Sequence, residues 1–263
     1  MSMDEFMESL GDNKIAFQTA ENGWTSALLL AALIGNEEGG ADLLNNNTDE
    51  KLYDYTAEPF VNGVAKLQTL LENNASSNTI GAAYADAANA FMSKNASIIC
   101  NGSWMSTEFD AGSSDKWSND FNGDDVKATI YPGNIALTNE RNYGEFWVSN
   151  NATDEEKEAA EAFLAFRDSQ EEIEALILAE GGTAPKLTYT DDFKNKLKEN
   201  RILSELSESM DENTKYVAPL GDIFPASVAD TEFGKLLPKL ADGTLTPEEF
   251  CQELTKKAEE AKQ

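Results

Sequence analysis

The chain has 263 residues, is 41% hydrophobic and carries 48 acidic against 20 basic side chains, a formal net charge of −28. That apolar share supports a real core and excludes wholesale disorder, in one large domain or two small ones, while the negative field repels nucleic acid and anionic membrane surfaces and suits solubility or a neutral or cationic ligand. Histidine, the commonest general base and metal ligand, is absent, and Cys100 and Cys251, each in an apolar setting and without a Cys-x-x-Cys spacing, read as buried free thiols and not as a zinc or redox pair.

The start, MSMDEFMESLGDNK, is acidic and amphipathic, without the basic and apolar regions or the cleavage site of a signal peptide. No run of about 18 apolar residues occurs. Residues 4–10 predict a short helix and 14–20, KIAFQTA, a buried strand. Glu21-Asn22-Gly23 turns the chain into 24–34, WTSALLLAALI, which is apolar all round and predicts a core helix. Trp24 stands at the first turn of that helix, at a strand-to-helix junction. Gly35 and the Gly39-Gly40 pair close the unit, and 42–55 reads as polar, with Asn45-Asn46-Asn47 marking a loop. Residues 59–73 form an amphipathic helix through Phe60, Val64, Leu67, Leu70 and Leu71. An alanine-rich helix follows at 82–92.

The stretch 90–104, AFMSKNASIICNGSW, organises the rest. Residues 96–100, ASIIC, read as a short strand buried on both faces. It ends in Asn101-Gly102-Ser103-Trp104, where Gly102 permits a tight turn and Ser103 suits a helix N-cap. Trp104 is thereby delivered to the carboxyl edge of a strand, where open α/β sheets bind ligands. A tryptophan that caps the core is the competing reading.

The loop 110–125 is acidic and rich in Ser, Gly and Asn, but its carboxylates lack the alternate spacing of a calcium loop, and it reads as solvated. Residues 126–130 and 143–149 predict strands, with Tyr131-Pro132-Gly133 turning between them. Thr153-Asp154-Glu155-Glu156 is a capping box. Phe163 and Leu164 lie on the helix it opens, and Ile173, Leu176 and Ile177 on the segment 171–180 that follows, up to Gly181-Gly182. Residues 191–200 and 203–210 are surface helices, 216–225 is a loop with two prolines, and 226–240 is helical with a kink near Pro238. Thr246-Pro247-Glu248-Glu249 opens the last helix. Trp117 and Trp147 read as structural.

This order of motifs resembles the family 1 extracellular solute-binding proteins of ABC importers, the maltose- and oligosaccharide-binding type. The match rests on Ala96-Ser97-Ile98-Ile99-Cys100-Asn101-Gly102-Ser103-Trp104 after a helix ending in Phe91. It continues through Trp147-Val148-Ser149, Glu158-Ala159-Ala160 and Phe163-Leu164 to Gly182-Thr183-Ala184-Pro185, and closes with the helices joined by Asp242-Gly243. The resemblance implies an α/β fold of the periplasmic-binding-protein type II kind. It implies that 1–131 and 205–263 form the second lobe, and that 132–204 is the crossing segment of the first lobe. The bulk of that first lobe, with the signal peptide or lipobox of full-length members, is expected to be missing. It further implies an extracellular or periplasmic location, membrane-anchored in full-length relatives, a carbohydrate ligand, an ABC permease as partner, and no cofactor or metal.

Sugar recognition needs flat apolar faces for pyranose C–H groups and polar groups for hydroxyls. The resemblance places Trp24 and Trp104 at cleft positions, flanked by Glu21, Asn22 and Asn101. It adds Tyr143 and Glu145 on the crossing strand, and Asp222 and Phe224 before the penultimate helix. No catalytic residue is expected. A non-binding remnant or interaction scaffold is the alternative function, and a carbohydrate-active enzyme with paired carboxylates a lesser one. The apolar face of 154–180, without its first-lobe cover, is expected to drive self-association or local disorder.

Overall fold

The computed structural model describes residues 1–47, 50–109, 111–116, 120–138, 146–182 and 187–262. In chain order its elements begin α1 (Met3–Ser9), β1 (Ile15–Ala16), α2 (Trp24–Asn36), α3 (Gly40–Asn45), α4 (Glu58–Asn74), α5 (Tyr84–Met92) and β2 (Ile98–Ile99). Short 3-10 turns at Ser103–Phe109, Ala111–Lys116 and Gly123–Asp125 lead to β3 (Ile135–Leu137). Then come α6 (Asp154–Arg167), α7 (Gln170–Glu180), α8 (Asp191–Leu197), α9 (Arg201–Ser209), β4 (Lys215–Val217) and α10 (Leu220–Ile223). A π-helical turn at Val228–Glu232, α11 (Phe233–Ala241) and α12 (Pro247–Glu260) complete the α/β fold.

Helix α2 has no polar face, so every side of it has to be covered. Helices α3, α4 and α10 and strand β3 pack around it, and Leu29 to Ile34 are all buried. Helix α4 comes close because Gly63 faces Ile34: a β-carbon there would lie 2.5 Å from Ile34 Cγ1 and 3.1 Å from its amide nitrogen. The expected stripe of α4, Phe60, Val64, Leu67, Leu70 and Leu71, is buried. On its far side α12 lays down Phe250, Cys251, Leu254 and Ala258. Each fully buried leucine or phenylalanine contributes about 1.5–3 kcal/mol over an exposed one. Tyr55 is enclosed between Phe60 and Phe224, with ring centroids 5.1 and 5.3 Å away. Its hydroxyl donates to the Leu52 carbonyl at 2.7 Å, and burial pushes the phenol far above its ordinary range.

Strands β1 and β2 are parallel, Ile15 opposite Ile98 and Ala16 opposite Ile99, and Ala75 bridges Ile15 on the other side. Both are shorter than their sequence runs predict. Residues 17–20 leave the ladder because Thr19 and Ala20 donate their amides to the Ala82 carbonyl, both at 2.9 Å. Ile98 and Ile99 are half-buried, not covered on both faces, and among the described residues β2 pairs with β1 alone. Strands β3 and β4 form a second parallel pair, from Ile135 opposite Lys215 to Leu137 opposite Val217. Ile135, at the start of the segment 132–204, is fully buried in the main core.

Other stretches depart from their sequence reading for local reasons. Part of the expected loop 42–55 is helix α3, entered through Gly39 at φ 74° and fixed by the buried Leu44. The Asn45 carboxamide at its end donates to the Tyr216 carbonyl (3.0 Å) and accepts from the Ala218 amide (2.8 Å). Residues 126–130 form no strand. The Ala128 amide donates to Glu205 Oε2 at 2.8 Å and the Ile130 amide to Ser209 Oγ at 3.2 Å, so side chains of α9 take the place of a neighbouring strand. Residues 146–149 are likewise outside any ladder, and Trp147, 86% exposed, is no structural tryptophan; Trp117 lies outside the described residues. The expected loop 216–225 holds the end of β4 and all of α10. In 226–240 the irregular turn is at Val228–Glu232, where the Phe233 amide reaches back to Val228.

Helices α7, α8 and α9 gather a smaller apolar group, Ile177, Phe193, Ile202 and Leu203, all buried. It meets the rest through the turn Ser103–Phe109, which touches α7 and α9. Helix α6 buries none of its residues. Phe163 is 55% exposed, and Phe166 and Leu176 are exposed with it.

Candidate functional site

Because β1 and β2 are adjacent and parallel, the chain leaves both in the same direction. From β1 it passes through Glu21-Asn22-Gly23 into α2, and from β2 through Asn101-Gly102 into the turn at Ser103–Phe109. Trp24 and Trp104 therefore meet, with ring centroids 6.0 Å apart and planes at 47°. Tyr84, the first residue of α5, adds a third ring 5.3 Å from Trp24. The loop before α5 is held there by Thr19, whose hydroxyl donates to the Thr79 carbonyl and accepts from the Gly81 amide at 2.9 Å.

Trp24 and Tyr84 are half-buried and Trp104 is 49% exposed, so Trp104 does not cap the core. Its indole lies on Gly102, where a β-carbon would strike the six-membered ring. The glycine is needed for this contact more than for the turn. Gly181, the C-cap of α7, approaches the Ser103 carbonyl so closely that it too has no room for a side chain. Ser103 is the first residue of a 3-10 turn, not the cap of an α-helix.

Polar groups flank the rings. Asn101 donates from Nδ2 to the Tyr84 hydroxyl at 3.1 Å and accepts from the Gly102 amide at 2.9 Å. The Tyr84 hydroxyl in turn points at Met105 Sδ, 3.6 Å away. Glu21 Oε2 accepts from the Tyr84 amide (3.2 Å) and from Gln18 Nε2 (3.0 Å). Asn22 Oδ1 lies 3.5 Å from the same Gln18 nitrogen. Glu21 adopts φ 56°, a left-handed conformation that a non-glycine residue keeps only when its surroundings hold it.

The structure thus brings together Trp24, Trp104, Glu21, Asn22 and Asn101, and adds Tyr84, Gln18 and Met105. A polar residue inside the apolar run KIAFQTA, and an aromatic one opening an alanine-rich helix, were the signals for Gln18 and Tyr84. Phe224 is not a site residue: it is 2% exposed and its ring is packed between Tyr55 and Phe233, so no face is left for a ligand. Asp222 lies in α10, which is tied to another part of the chain: Lys51 Nζ donates to the Asp222 carbonyl at 2.6 Å and the Leu52 amide to the Ile223 carbonyl at 2.8 Å. Tyr143 and Glu145 lie outside the described residues. Cys251 is buried and Cys100 half-buried; the low polarity around the two thiols pushes each up to about 12, which keeps them protonated at neutral pH. Among the described residues no group of three or more Cys, Asp or Glu side chains is placed to hold a metal ion.

Solved structures share this fold. A chitin oligosaccharide binding protein superposes with a TM-score of 0.67 at 18% identity, over 99% of this chain and 64% of its own. A Streptococcus pneumoniae solute-binding protein in complex with the blood group A-trisaccharide gives 0.59 at 15% identity, over 97% and 60%. A family 1 extracellular solute-binding protein from Bifidobacterium longum subsp. infantis gives 0.54 at 18%, over 97% and 65%. The chain spans between 60% and 65% of the length of these structures. No curated protein matches it. The sequence pattern described as bacterial extracellular solute-binding protein matches residues 1–200, a stretch that contains Glu21, Tyr84 and Trp104 alike. The chain belongs to the bacterial extracellular solute-binding proteins.

Proposed function

We propose that the chain captures a carbohydrate outside the cell for delivery to an ABC permease. The observation that carries this reading is the half-exposed Trp24–Tyr84–Trp104 cluster at the carboxyl ends of two parallel strands. Its ring faces suit the C–H faces of pyranoses, and Glu21, Asn22 and Asn101 suit their hydroxyls. The saccharides named for two structures of the same fold support it. The cluster serves as one wall of the binding cleft, with 1–131 and 205–263 as the second lobe and 132–204 as the crossing segment.

Calorimetric titration with chito-, malto- and xylo-oligosaccharides and the blood group A-trisaccharide tests the proposal. Saturable binding of at least one, weakened by Trp104→Ala, is the expected result. Silence across the panel would favour the scaffold alternative. Glycosidic cleavage that disappears on mutating a single acid would favour an enzyme.

We also propose that the exposed face of α6 and α7 mediates self-association. Phe163, Phe166 and Leu176 form it, beside Phe146, whose ring lies 4.6 Å below the Arg167 guanidinium.

A further inference from the structure

Gln18 is 0% exposed in an otherwise apolar strand exit, and all of its side-chain polar atoms have partners. Its Oε1 accepts from the Thr25 amide at 3.3 Å and lies 3.4 Å from the Thr25 hydroxyl. Its Nε2 donates to Glu21 Oε2 and towards Asn22 Oδ1. The Ser26 hydroxyl donates to the Gln18 carbonyl at 2.7 Å and pins the backbone. The orientation of the amide is dictated by its neighbours: a backbone N–H can only donate and a carboxylate can only accept.

Helix α2 needs this amide. Its N-cap is Gly23, at φ 65°, with no side chain to accept from the first-turn amides. A side chain there is disfavoured as well, because the left-handed backbone suits glycine and a β-carbon would have to displace Leu237 Cδ1. Gln18 Oε1 supplies the missing acceptor from five residues upstream. With its oxygen committed to the helix, its NH2 group is aimed at the loop that carries Glu21. Both bonds received by Glu21 fall on Oε2, and among the described residues Oε1 has no partner.

We propose that Gln18 is a positioning residue of the ligand site. It anchors on the N-terminus of α2 and holds Glu21 in its left-handed conformation beside the aromatic cluster, with Oε1 turned to a ligand donor hydroxyl. The part that concerns the ligand rests on the carbohydrate reading; the positioning does not.

The test compares Gln18→Met, Glu21→Ala and the double variant Gln18→Met/Glu21→Ala in the full chain. Its readouts are hydrogen exchange at the Tyr84 amide, which donates to Glu21, and titration with chitotriose and maltotriose. In Gln18→Met, Tyr84 should exchange at least tenfold faster relative to amides in α12, and affinity for whichever sugar binds should fall at least tenfold. Glu21→Ala removes the acceptor of both the Tyr84 amide and Gln18 Nε2. Because Gln18 acts through Glu21, the double variant Gln18→Met/Glu21→Ala should match Glu21→Ala to within threefold in both Tyr84 exchange and affinity. Unchanged Tyr84 exchange in Gln18→Met overturns the proposal. If Gln18→Met does not fold, Gln18→Asn, whose shorter amide cannot reach both α2 and Glu21, decides: unchanged Tyr84 exchange there overturns it. If no sugar binds the wild type, the carbohydrate reading fails and the exchange rates still decide the positioning.

Discussion

At the scale of single residues, Trp104 and Gly102 act as one unit. Replacing Trp104 by alanine should weaken sugar binding by roughly 1–3 kcal/mol, the range of a contact residue at a binding surface. The melting temperature should hardly move, because half of the ring is already in solvent. Gly102→Ala should reproduce the affinity loss, since the new methyl group takes the place of the indole; calorimetry beside thermal melting checks both. Trp24 and Trp104 were legible in the sequence because each follows a recognisable strand. Tyr84 and Gln18 left only faint signals, because Tyr84 reaches the site through a loop more than 60 residues away that Thr19 holds, and because a lone glutamine in an apolar run does not say which groups it bonds. Phe224 was misread for the converse reason: position before a helix does not reveal which face is buried. A second residue-scale effect concerns pH. Burial of Glu174 opposes its ionisation, but the hydroxyl and amide of Thr190, then Gln170 and Lys194, outweigh it and hold the carboxyl below its usual range. A carboxyl depressed in the folded state adds stability above its unfolded pKa and loses it as pH falls through the folded one. The Thr190 cap of α8 should therefore loosen in acid. Hydrogen exchange over 187–197 should rise below the carboxylate range, and Glu174→Gln should show the rise already at neutral pH.

Among the elements, the helices were the legible part. Helix α2 was recognisable because a run of WTSALLLAALI has no face to offer water, and α12 because its capping box and first-turn proline announce it. Strands were harder, since periodicity does not say whether a ladder partner exists. The run 14–20 ends its ladder after Ala16 and gives the amides of Thr19 and Ala20 to the loop before α5, and in 126–130 the amides of Ala128 and Ile130 go to Glu205 and Ser209. Neither choice leaves a mark in the local pattern. What the sequence also hides is the spacing between helices. Gly63 sits unremarked in α4, yet it sets the distance to α2. Gly63→Ala should cost about 1–3 kcal/mol through overpacking against Ile34, seen as a lower urea midpoint with an unchanged slope. If the midpoint stays put, α4 has room to shift and the close contact is not the constraint.

For the whole molecule, charge and apolar surface pull in opposite directions. The net charge of −28 repels a second copy, while the face around Phe163 and Phe166 attracts one. Salt screens the first within about 8 Å at physiological ionic strength and leaves the second. Light scattering should therefore report a mass that rises with salt and protein concentration, and Phe163→Glu should return the monomer. A monomer at all salt concentrations would remove α6 as an association surface. The apolar face of 154–180 was readable from its periodicity and its lack of cover was expected from the resemblance; that Leu164 and Ile173 are half-buried while Phe163, Phe166 and Leu176 are exposed was not, because this depends on how α6 and α7 pack. The way copies can associate is also restricted by Asn45. Its carboxamide occupies the Tyr216 carbonyl and the Ala218 amide on the side of β4 that faces away from β3. A side chain thus closes a sheet edge that would otherwise template another strand. Crowded copies of this protein are steered away from fibrillar growth at that edge, and Asn45→Ala would unlock it.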